Sequence, residues 1–90
     1  MNTELLSYDL CEYLRDNYSN LVCERYKLDT IDGLKGYEIL EKIGKKRGFV
    51  ISGGEVDMER TANMVLDELR AAKIGNITLE TPQDIENMEN

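Results

Sequence analysis

Four cations lie within six positions of this chain: Lys42, Lys45, Lys46 and Arg47. Ammonium and guanidinium groups crowded in this way bind anions, above all the phosphates of a nucleic-acid backbone. No acid follows the run until Glu55. The rest of the chain is acidic. Residues 1–41 hold nine acids against four bases, residues 55–90 hold nine against three, and the net charge is −7. Arg70 and Lys73 add two further candidates. At helical spacing Arg70 flanks an apolar stripe and can share a face with the basic run. Lys73 also suits the negative end of a helix dipole.

Other chemistry has little to work with. Histidine is absent, which removes the commonest general acid–base and a common zinc ligand. Cys11 and Cys23 are too few for a disulfide framework and lack metal-ligand spacing. They read as reduced thiols of a cytosolic protein. No pair of carboxylates stands out as a catalytic couple. The phosphate loop G-x-x-x-x-G-K-[ST] is missing, and so are the D-x-x-G and N-K-x-D elements of GTPases. No catalytic residue, metal or cofactor is expected in the chain itself. The turn Ser52-Gly53-Gly54 precedes a helix, where glycines can cradle a phosphate. Glu55 and Asp57 would repel one there, so a capped turn is expected.

The elements that must position the cations follow from apolar spacing. Residues 3–18 read as a first helix capped by Thr3, with Leu6, Leu10, Tyr13, Leu14 and Asn17 on one stripe. Ser19 caps a short second helix over 20–26, and residues 27–34 connect. A third helix spans 35–47, with Tyr37, Leu40, Ile43 and Gly44 inward and Ile39 at the margin. Lys42, Lys45 and Lys46 then share its outer face. Arg47 points nearer the core, but at the helix end its long side chain can reach water. Gly48 closes the helix.

Phe49, Val50 and Ile51 form a short extended piece. Asp57 caps a fourth helix over 58–74, whose core stripe is Met58, Ala62, Val65, Leu66 and Leu69, with Gly75 at its end. Ile77, Thr78 and Leu79 alternate like a short strand, and residues 83–90 form a disordered acidic tail. The expectation is an all-α fold, a small bundle of about four helices in one domain over residues 1–82. No apolar run is long enough to span a membrane, and M-N-T-E-L-L is no signal peptide, so a cytoplasmic place is expected. Tyr13 and Tyr37 fall on core stripes, whereas Tyr8 and Tyr18 fall off them and remain open to stacking on bases.

Four segments occur in an ordered series: E-R-Y-K-L-D (24–29), K-K-R-G-F (45–49), S-G-G-E-V-D (52–57) and I-G-N-I-T-L-E-T-P (74–82). With them the chain, from about Leu5 to Pro82, resembles the C-terminal region of the ribosome biogenesis GTPase A family. These are circularly permuted GTPases that assist maturation of the bacterial large ribosomal subunit. The resemblance implies a helical domain similar to ANTAR-type RNA-binding domains, separate from a GTPase domain that binds GTP and Mg²⁺ in the parent protein. It implies ribosomal RNA of the large-subunit precursor as partner. The family's basic positions map onto Lys45, Lys46, Arg47, Arg70 and Lys73. The chain departs from the pattern at Asn76, where many members are basic, and at Ala71-Ala72, which replaces a pair that usually includes glycine.

The expected function is therefore a noncatalytic, monomeric RNA-binding domain. Lys42, Lys45, Lys46, Arg47 and Arg70 would contact phosphates. Four to five such contacts imply a log–log salt slope of about −3 to −5. The alternative is a protein-interaction module docking on the GTPase domain or a ribosomal protein. On that reading the lysines serve as helix-end charges, with Glu38–Lys42 and Glu41–Lys45 as i,i+4 pairs.

Overall fold

A computed structural model describes residues 2–75 and 77 of the chain. The fold is all-α, and among the described residues it has three helices: α1 (Thr3–Tyr26), α2 (Gly36–Arg47) and α3 (Met58–Arg70). The expected count of about four is corrected by α1. Its two expected parts run together across a kink at Tyr18, which has φ −140° and ψ 34°. Neither glycine nor proline stands at this point to stop the helix. Leu10 and Leu14 before the kink, and Val22 and Tyr26 after it, all bury against one core. The helix bends rather than ends because both halves are held by the same apolar mass.

Asn2, rather than Thr3, caps α1: its Oδ1 accepts hydrogen bonds from the N–H groups of Glu4 (2.9 Å) and Leu5 (3.3 Å). At the start of α2, the Glu38 carboxylate accepts from the Lys35 N–H at 2.9 Å. Asp57 caps α3 as expected, accepting from the Arg60 N–H at 3.1 Å. The segment between α2 and α3 folds back on itself through one antiparallel bridge, Val50 to Val56. The expected extended piece is thus a single bridged turn.

Each helix closes with a residue in the left-handed conformation: Lys27 (φ 58°), Gly48 (φ 74°) and Ala72 (φ 57°). At each end the next N–H reaches back five residues, Leu28 to Cys23, Phe49 to Gly44 and Lys73 to Glu68, at 2.9 Å in every case. These bonds satisfy carbonyls that the helix leaves open. The last closure corrects the expected end of the final helix, which stops at Arg70 and not at residue 74. The turn at Ala72 brings Ile74 back onto the core, where it is buried. The expected strand and tail beyond Ile77 lie outside the described residues.

The core joins Leu10, Cys11, Leu14, Val22 and Tyr26 of α1 to Ile39, Leu40 and Ile43 of α2, and to Ala62, Val65 and Leu66 of α3, with Ile31 and Ile74 from the connections. On α2 the inner face is rotated from the expected one. Ile39 is fully buried and Tyr37 is 50% exposed. Tyr37 instead meets Tyr8 edge-to-face, with centroids 6.4 Å apart. The shift of face goes with a close approach of α1 and α2 at Gly36. A Cβ on Gly36 would overlap the backbone carbonyl of Tyr8 and stand 2.8 Å from its Cα.

That approach yields a prediction. Gly36→Ala gains up to about 1 kcal/mol of helix propensity but must force two backbones apart, which costs about 1–3 kcal/mol or more. The overlap is with backbone, so the cost wins. Urea unfolding followed by circular dichroism should show a less stable protein, and an unchanged midpoint would refute the close contact.

A candidate nucleic-acid interface

The basic run divides where α2 ends. While Ile39 and Ile43 of the same helix are buried, Lys42, Lys45 and Lys46 are exposed. They line a groove of about 380 Å³ with Leu28, Asp29 and Thr30 of the α1–α2 connection. Asp29 is the one carboxylate in its wall. Lys45 lies 4.0 Å from Glu41 with both side chains more than half exposed, an arrangement that holds a lysine only weakly. Three ammonium groups therefore face solvent around one depression.

Arg47 turns the other way. Its Nη1 and Nη2 each lie 3.4 Å from a carboxylate oxygen of Glu68, and its guanidinium lies 5.1 Å from the centre of the Tyr26 ring. Glu68 is also bound from α1. Arg25 donates to it through Nε (3.1 Å) and Nη2 (3.0 Å), and the Tyr26 hydroxyl donates at 2.8 Å. One carboxylate on α3 thus collects groups from both other helices. Charge counting along the chain could not show that Arg47 is already matched by an acid 21 residues later.

The remaining candidates lie elsewhere. Arg70 donates to Asp67 at 3.2 Å, one turn back on α3. Lys73 lines a second groove of about 360 Å³ with Leu21, Glu24, Arg25, Lys27 and Ile74. The structure therefore brings Lys42, Lys45 and Lys46 together, and separates Arg47, Arg70 and Lys73 from them. Sequence reasoning missed Arg25, Tyr26 and Glu68. One signal was available: at the helical period Glu68 borders the core stripe of α3, seven residues after Thr61, and both are buried.

The Asp57 carboxylate occupies the N-terminus of α3 as its cap, where a phosphate would have to sit. Among the described residues no cluster of three or more acidic or thiol groups is placed to hold a metal ion. Among the described residues no helix is long and apolar enough to cross a membrane. Both cysteines are free, and burial pushes the Cys11 thiol up to about 12, so it is a poor nucleophile at neutral pH.

The sequence of the chain is similar to those of known proteins. The chain is 33% identical over 84 residues to ribosome biogenesis GTPase A of Bacillus cereus. It is 33% identical over 86 residues to the protein of that name from Priestia megaterium. The chain belongs to the ribosome biogenesis GTPase A family. The match covers 93% and 96% of this chain but only 28% and 30% of those two relatives, so the chain spans less than a third of their length. An uncharacterized GTP-binding protein of Methanocaldococcus jannaschii is 34% identical over 62 residues, 66% of this chain and 16% of its own. No family model matches the chain.

Two of the segments that carry the family resemblance, 24–29 and 45–49, meet in space. E-R-Y-K-L-D supplies Arg25 and Tyr26 to Glu68 and then Lys27, Leu28 and Asp29 to the two grooves. K-K-R-G-F supplies two groove lysines, Arg47 and the closing Gly48.

Burial alone would raise the pKa of Glu68. The hydrogen bonds from Arg25 and Tyr26 and the charges of Arg47 and Arg25 outweigh it, so the carboxyl titrates below its ordinary value. A depressed folded-state pKa means that the ionised cluster stabilises the fold above the unfolded glutamate value of about 4.3. That stability is lost as pH falls through the depressed value. Both arginine side chains are about a third exposed (33% and 31%), which screens the pairs. Glu68→Gln should therefore cost about 1–3 kcal/mol at pH 7, below the range for fully buried pairs. Between pH 7 and pH 3 the parent should lose more stability in urea titrations than the variant does. Equal losses would show that Glu68 is not the titrating link.

Proposed function

We propose that this chain is the noncatalytic C-terminal RNA-binding domain of a ribosome biogenesis GTPase. It binds ribosomal RNA of the immature large subunit and positions the GTPase domain of the parent protein there. One observation carries the reading: on a chain of net charge −7, Lys42, Lys45 and Lys46 converge on one groove walled by a single carboxylate. Charges beyond a Debye length of about 8 Å are largely screened, and close to the groove the three ammonium groups outnumber Asp29 in its wall and Glu41 beside Lys45. Such contacts fix register and orientation without reading base identity. Arg47, paired with Glu68, holds the end of α2 in place. The parent protein supplies GTP, Mg²⁺ and the catalytic residues, and the domain works in the cytoplasm as a monomer.

A second reading draws on Leu5 and Tyr37, which are 59% and 50% exposed near the acids Glu4 and Glu38. That apolar surface suits a protein partner such as the GTPase domain or a ribosomal protein. Salt separates the two readings, since phosphate contacts weaken steeply with ionic strength and apolar docking does not.

Lys45→Glu with Lys46→Glu should abolish binding to precursor ribosomal RNA in a low-salt shift assay while leaving the circular dichroism spectrum unchanged. Undiminished binding by the folded double variant would eliminate the groove as the contact surface.

A further inference from the structure

The second groove extends the first. Arg25, Lys27 and Lys73 line it with one carboxylate, Glu24, just as three cations and Asp29 line the other. The two grooves meet at adjacent residues, since Lys27 borders one and Leu28 the other. The end of α1 is therefore a ridge with cations on both sides. Arg25 is bound to Glu68. Lys27 and Lys73 are exposed, and among the described residues neither has an ion-pair partner.

Two features point to the kind of RNA. Among the described residues no aromatic side chain lines either groove. Single-stranded RNA is held by bases stacked on aromatic or arginine planes, whereas a duplex is held through its phosphates and shape. Here the one arginine is already engaged by Glu68. The second feature is Lys27 itself. It holds a left-handed position (φ 58°) at a helix end where glycine is the unstrained residue. The strain is accepted at the point where the two grooves join, the kind of place where strained residues tend to serve function.

We propose that the two grooves form one surface for the backbone of an RNA double helix, with Lys27 and Lys73 binding phosphates on one side of the ridge and Lys42, Lys45 and Lys46 on the other. This rests on the RNA-binding reading above and deepens it. Cations on both sides of a ridge suit the two phosphate rows of a duplex better than the one row of a single strand.

The test uses the 90-residue chain with a labelled 16-base-pair RNA duplex and a 16-nucleotide uridine oligomer over a salt series. Five phosphate contacts on a duplex give a log–log slope of about −4.5, and the three groove lysines alone about −2.7. The parent should bind the duplex more tightly than the oligomer with the steeper slope. Lys27→Gly with Lys73→Gln should flatten the slope by about two without lowering the melting temperature, because glycine relieves the strained helix end. Lys73→Gln alone should flatten it by about one, which serves if the double variant misfolds. Unaltered slopes in these variants, with binding still lost in the Lys45/Lys46 double variant, would overturn the second groove and leave the RNA reading standing. Equal or tighter binding of the uridine oligomer would overturn the duplex assignment. No binding of either RNA by the parent would overturn both readings.

Discussion

The Glu68 carboxylate is the constraint from which the rest of the structure follows. Two arginines and a tyrosine hydroxyl, drawn from α1 and α2, bind this one group on α3. Its side chain is only 11% exposed, and a carboxylate placed there without partners would be costly. With partners, it ties three short elements whose apolar burial is limited by the size of the chain. Tyr26 takes part in both systems, since its ring belongs to the apolar core while its hydroxyl serves Glu68.

The same cluster sorts the basic run. Arg47 is the last residue of α2, and its fork-shaped head suits a carboxylate better than an ammonium group does. Of the three lysines before it, Lys45 has a weak tie to Glu41 at 4.0 Å, and all three stay exposed along the groove. A run that looks uniform in sequence thus performs two tasks, one inside the fold and one facing solvent. Arg25 makes a similar division on the other side of α1, where it both binds Glu68 and walls the second groove.

Much of this was legible in the sequence. The apolar stripes of the first, third and fourth expected helices located the core, and Gly48 and Asp57 marked a helix end and a helix start. The lysine spacing put Lys42, Lys45 and Lys46 on one outer face, but the groove they line with Leu28, Asp29 and Thr30 had no local signal. What was not legible had physical causes. Helix ends at Lys27 and Ala72 carry no glycine, so the left-handed closures gave no residue signal. The kink at Tyr18 has no proline or glycine, and arises because two apolar faces share one core. The face of α2 was misjudged at Tyr37: the helix settles on Ile39 instead, and this goes with the close approach of α1 at Gly36. The Glu68 cluster joins residues 21 to 43 positions apart, beyond the reach of any local pattern.

The central claim is that Glu68 holds Arg47 inside the fold while Lys42, Lys45 and Lys46 are left to meet phosphate. Proton–nitrogen NMR of the side chains during titration with duplex RNA tests it most directly. The account predicts that the ammonium signals of the three lysines move with added RNA, while the guanidinium signals of Arg25 and Arg47 keep their positions. Large shifts at Arg47 with still lysines would contradict it, because the phosphate would then be competing with Glu68 rather than landing beside it.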